Sequence, residues 1–182
     1  MKLSNGQYEE IKKIVAMTYK KFNVRCVPIS GYEIAVKMGI KILPYSAYPL
    51  KTQALMLLKS EDGFSIKRKG QWYLFYNDND GKSYGRINNT IMHEVGHIVL
   101  DHTEESELAE AEANFFAKYA LAPPVLIHNS GLREPGEIAD FFDISYQAAT
   151  YALSFYRKWL QYGGRYYKDY EIMICDLFGI AV

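Results

Sequence analysis

The stretch His93-Glu94-Val95-Gly96-His97 constrains this chain more than any other part of it. Two histidines four residues apart share one face of a helix, one turn apart, so both imidazoles can reach a single metal ion. The surroundings agree with a helix over 90–102, because Ile91, Met92, Val95, Ile98 and Val99 form an apolar side away from the histidines. Glu94 sits at the edge of the histidine face, where it can take a proton from a metal-bound water. Gly96 costs a helix about 1 kcal/mol relative to Ala, so something is expected to pack close to it.

A catalytic zinc needs three protein ligands and an open position. The HExxH pattern also arises by chance, which makes the third ligand the test. A metzincin arrangement requires Gly at position 100 and His at 103, and the chain has Leu100 and Thr103. A gluzincin-type arrangement requires a Glu on a following helix. A turn at Thr103-Glu104 sets Glu110 level with His97 and Asn114 level with His93 across an antiparallel hairpin. Asn114 is then placed to hold the free ring nitrogen of His93. Asp101, Glu104, Glu105, Glu107 and Glu112 compete with Glu110, and Glu107 is the second choice. His102 falls on a different helix face from His97 and reads as a capping or solvent-facing residue.

The 182 residues suit one domain, or one domain with a small appendage, and 49% hydrophobic against 23% charged residues is enough for a packed core. No apolar run approaches the roughly 18 residues of a membrane span. Met1–Asn5 lacks the apolar stretch of a signal peptide, and Cys26 and Cys175 are too few for a disulfide scaffold. The expectation is a cytoplasmic protein. Residues 1–70 carry 13 Lys/Arg against 5 Asp/Glu and residues 71–182 carry 8 against 16, so the two parts attract each other within one fold. Zero net charge argues against strong nonspecific DNA binding.

Periodicity predicts helices at 4–22, 30–38, 90–102, 105–121, 135–142, 146–160 and 168–178. Strands are expected at 40–44, 63–67 and 71–76, the last two as a hairpin around Arg68-Lys69-Gly70. Residues 77–81 read as a turn; a calcium loop there lacks its distal Glu, since position 89 is Asn89. The fold class is therefore α+β: mainly helical, with a small antiparallel sheet beside an HExxH helix hairpin of gluzincin type. Residues 1–132 form the core, and 133–182 a helical C-terminal appendage packed on it as one unit.

Arg86 through His102, followed by Glu110-Ala111-Glu112-Ala113-Asn114-Phe115-Phe116-Ala117 and Leu121-Ala122-Pro123, resembles the ImmA/IrrE family of metallopeptidases. Ala122 stands where that family usually has Met, which affects packing more than catalysis. A weaker likeness extends over about residues 5–155. The resemblance implies one zinc per chain held by His93, His97 and Glu110, with Glu94 as catalytic base. It also implies a protein substrate, a helix-turn-helix repressor cleaved at a specific site in a mobile-element or stress regulatory system.

Candidate donors for the oxyanion are Tyr84, Tyr119, His128 and Tyr151, although a buried Tyr ordinarily only satisfies its own hydroxyl. Arg86 reads equally as a substrate contact or a helix-entry salt bridge. Strand 71–76 is a candidate for pairing with an extended substrate. The alternative is a noncatalytic zinc-containing regulator that binds a partner protein or DNA through 138–153. That segment has a helix-turn-helix flavour but no Lys or Arg between 134 and 156, which argues against DNA. Ser145 reads there as a helix N-cap.

Overall fold

Every long helix of the computed structural model, which describes residues 2–79, 81–163 and 166–181, begins or ends on a device written in the local sequence. Helices α1 (Asn5–Phe22), α2 (Gly31–Lys37), α4 (Tyr84–Val99), α5 (Glu107–Leu121) and α8 (Tyr146–Tyr162) each follow a Ser. In each case, Ser4, Ser30, Ser83, Ser106 or Ser145, the side-chain oxygen accepts from an amide of the first turn. The other elements are β1 (Lys41–Pro44), α3 (Leu50–Lys59), β2 (Gly63–Arg68), β3 (Gln71–Tyr76), α6 (Pro124–Asn129), α7 (Pro135–Phe142) and α9 (Asp169–Leu177).

The sheet order is β1-β3-β2. The β2–β3 hairpin is antiparallel as expected, but β1 lies parallel to β3, Lys41 opposite Tyr73 and Pro44 opposite Tyr76. The sheet is therefore mixed rather than wholly antiparallel. A short 3-10 turn at Tyr45–Ala47 and α3 carry the chain from the end of β1 to the start of β2, both beside Tyr76, and β2 then returns it so that β3 runs parallel to β1. Sequence patterning missed α3 because only Met56 is buried in it, while Leu50, Leu55, Leu57 and Leu58 face solvent. It also missed α6, whose Pro124 occupies the first helical position, where a missing N–H costs nothing.

The sheet divides its side chains between two layers. Leu74 is fully buried within the main core, together with Ile91 and Val95 of α4. On the other face Phe64 stacks on Phe75 at 5.0 Å, and Tyr45 and Tyr48 pack against that pair. A single hydrophobic cluster runs from Leu3, Ile11 and Tyr19 of the N-terminal region through Phe116 and Ile127 to Phe142, Tyr156 and Ile174. Glu9 joins the two ends of the chain, reaching Lys168 at 2.5 Å and the Tyr170 hydroxyl at 3.1 Å.

Helix α4 starts six residues earlier than its apolar period suggests, at the Ser83 cap. Asn88 is the reason the period is interrupted. It is 2% exposed, its Oδ1 accepts from the Gly31 amide at 2.7 Å, and its Nδ2 donates to the Ile29 carbonyl at 2.9 Å. One buried amide thus satisfies both backbone groups where α2 begins against α4. Asn88→Ala strands both of them away from water. We expect a loss of about 2–4 kcal/mol in urea unfolding; a loss below about 0.5 kcal/mol would show that the two backbone groups find other partners.

Candidate metal centre

Helices α4 and α5 form an antiparallel hairpin joined by residues 100–106, so the turn falls where the sequence spacing set it. The hairpin is held close by a glycine: a Cβ on Gly96 would stand 3.1 Å from Cδ1 and 3.3 Å from Cβ of the fully buried Phe116. The close neighbour expected at Gly96 is thus an aromatic ring of α5.

Across this hairpin the structure brings together His93, His97 and Glu110, whose ligand atoms all lie within 4.8 Å of one another. His93 Nε2 and His97 Nε2 are 3.0 Å apart. Glu110 reaches His93 Nε2 at 3.5 Å and His97 Nε2 at 3.2 Å. Zinc binds imidazole nitrogen and carboxylate oxygen at about 2.0–2.2 Å, which makes the edge of its coordination tetrahedron about 3.3–3.5 Å. The separation of the two ring nitrogens, and the approaches of Glu110 Oε2 to His93 and of Oε1 to His97, are each close to that edge. The donor set, two imidazoles and one carboxylate, is one that zinc takes in catalytic sites.

The electrostatics suit a cation. Burial first, and then His97, push His93 down to about 4, and burial lowers His97 as well. Both rings are therefore neutral near pH 7 and offer lone pairs. Glu94 is 8% exposed, and burial pushes its carboxyl up, against the opposing effect of a hydrogen bond from Ser65 Oγ to Oε2 at 2.7 Å.

The competing carboxylates are accounted for one by one. Asp101 occupies the left-handed position after α4, with φ of 55°. Glu104 and Glu105 line the groove but do not join the three-residue cluster, Glu107 opens α5, and Glu112 turns to His102 and Gln7. Among the described residues, this is the only cluster of His, Cys, Asp and Glu suited to a metal.

Two expectations are corrected. Asn114 does not hold His93; its Nδ2 donates to the Glu110 carbonyl at 2.8 Å, within its own helix. His102 does not face solvent. The left-handed Asp101 returns the chain, so that the His102 amide donates to the His97 carbonyl at 3.0 Å and its Nδ1 lies 3.0 Å from His97 Nδ1. A helical wheel continued past Val99 cannot show this.

A groove of about 840 Å³ runs over the cluster, lined along one side by Gly63 to Lys67 of β2. Because β3 is central, its two edges are already paired, and the edge strand that borders the groove is β2 rather than 71–76. Of the suggested oxyanion donors, Tyr84 is exposed, and Tyr119 is buried with no partner for its hydroxyl among the described residues. His128 bonds the Tyr156 hydroxyl, and Tyr151 lines an adjoining groove that shares Glu110 and Asn114. Arg86 forms the helix-entry salt bridge, to Asp62 at 2.8 Å.

The family model of the IrrE N-terminal-like domain, a peptidase domain, matches residues 38–154, which include the whole hairpin and the sheet. The chain belongs to that family. It thus carries a metallopeptidase-type domain, and the IrrE-like match begins just after α2 and ends within α8. No curated protein matches the chain significantly. Among the described residues no helix is long and apolar enough to cross a membrane.

Only Glu110 among the nearby carboxylates reaches both rings. Metal analysis is expected to find about one zinc per chain, lost in His93→Ala. Glu110→Gln is expected to weaken retention more than Glu107→Gln, and the reverse order would move the third ligand.

Proposed function

We propose that this IrrE-like protein is a zinc-dependent, cytoplasmic peptidase that cuts a protein substrate at a defined site, a helix-turn-helix repressor of a mobile-element or stress regulatory system. The observation that carries the reading is the triangle of His93, His97 and Glu110, with the buried Glu94 one residue from its first corner. When bound, zinc supplies Lewis acidity that polarises a peptide carbonyl and lowers the pKa of water to about 7.

The protein's own groups do the rest. Ser65 holds Oε2 of Glu94, and the second oxygen takes a proton from the attacking water and returns it to the leaving nitrogen. Burial raises the proton affinity of Glu94, which makes it a stronger base toward the water. The outer edge of β2 offers backbone groups along the groove, so a substrate segment in extended form is aligned by strand addition. Such a mode reads main chain first, and site specificity then rests on side chains beside the edge, such as Ile66, Lys67 and Trp72. A folded repressor has to expose an unstructured segment to enter.

Glu94→Gln removes the proton acceptor and leaves His93, His97 and Glu110 in place. With a repressor encoded beside this chain as substrate, it is expected to retain zinc while cleavage falls by about 10²–10⁴-fold. Wild-type cleavage should stop with a chelator. Turnover retained in Glu94→Gln would show that another group is the base, and binding of the repressor without cutting by the zinc-loaded wild type would favour a noncatalytic regulator.

A further inference from the structure

A directed relay of side chains leads from the metal face of His97 to the first turn of α1. His97 Nε2 faces His93 and Glu110, and its Nδ1 lies 3.0 Å from Nδ1 of His102. His102 Nε2 lies 3.1 Å from Glu112 Oε2. The other carboxylate oxygen, Glu112 Oε1, accepts from Gln7 Nε2 at 3.0 Å. Gln7 Oε1 in turn accepts from the Ser4 amide at 2.9 Å and the Ser4 hydroxyl at 2.8 Å, the reciprocal cap that starts α1.

Only one arrangement of protons leaves His97 Nε2 bare for a cation. With Nε2 bare, the His97 proton sits on Nδ1 and is donated to His102 Nδ1. His102 then carries its proton on Nε2, where it meets an acceptor-only carboxylate oxygen. Glu112 has a second oxygen free for the Gln7 amide, whose own orientation is fixed because its oxygen is taken by Ser4. Each link fixes the next, and no link needs a second proton. The three inner groups are shielded, with side chains 18%, 12% and 20% exposed for His97, His102 and Glu112.

We infer that His102 and Glu112, anchored by Gln7, are positioning residues that lock His97 in the tautomer and ring orientation that bind metal. The inference rests on the metal-centre reading above and adds a dependence on α1, which precedes the family match at residue 38. Glu112 lies on the same helix as Glu110, two residues on, so α5 supplies a group for the metal side and a group for the far side of one imidazole. A carboxylate or carbonyl behind a ligating histidine commonly changes metal affinity 10–100-fold. Here a second histidine is interposed between the two.

The test uses the full chain. Ring-nitrogen NMR of the metal-free wild type at about pH 8 reads the His97 tautomer directly. Zinc affinity by competition with a chromophoric chelator then compares wild type, His102→Ala and Glu112→Gln, with circular dichroism to establish that each is folded. We expect the His97 proton on Nδ1 in the wild type and a mixture of tautomers in His102→Ala. Zinc affinity should fall about 10–100-fold in His102→Ala. Glu112→Gln, which keeps an acceptor for His102, should lose less. A wild-type His97 protonated at Nε2, or a folded His102→Ala that binds zinc within twofold of wild type, overturns the inference. If the wild type binds no zinc, the metal-centre reading fails, and the relay's role fails with it.

Discussion

The approach of α4 to α5 at Gly96 and Phe116 is the constraint on which the site depends. The ring of Phe116 occupies the space a side chain would take, with 3.1 Å left to an added Cβ. The separation of the two helices is therefore set by a residue with no side chain. Glu110 sits on α5 and His93 and His97 on α4, so that separation decides whether the carboxylate comes within 3.2–3.5 Å of both rings. An ordinary helix former at 96 would favour α4 by about 1 kcal/mol and would oppose the approach.

Two further contacts give the hairpin its setting. Asn88 fastens α4 to the start of α2, and Ser65 fastens Glu94 to β2, so the histidine-bearing helix is tied on two sides outside α5. The Ser65 bond also fixes the distance between Glu94 and the strand whose outer edge borders the groove. The contact that positions Glu94 thus belongs to the same strand that, in our proposal, receives a substrate. Behind the metal face, polar contacts from His102 to Gln7 extend the arrangement into α1.

Much of this was legible in the sequence because it follows from spacing alone. Residues four apart on α4, and a turn centred near 103, are enough to bring Glu110 to His97 and His93. The Ser caps at 30 and 145 and the 63–76 hairpin are equally local. What was not legible depends on tertiary context. Leucines 50, 55, 57 and 58 carry no inward period because α3 buries little besides Met56. The parallel pairing of β1 depends on α3 carrying the chain past β3 to the start of β2, a path with no local signal. His102 reverses its expected direction because Asp101 adopts a left-handed conformation, which Asp allows but does not announce. Asn114 is level with the site, yet its amide satisfies a carbonyl of its own helix, a choice that register does not decide.

The central claim, that three named side chains from two antiparallel helices share one cation, is tested most directly by diffraction from zinc-loaded crystals at the zinc absorption edge. The account predicts one anomalous peak per chain, about 2.0–2.2 Å from His93 Nε2, His97 Nε2 and a Glu110 oxygen. An ordered metal bound elsewhere, or bound to the histidines with the Glu110 carboxylate turned away, would contradict it.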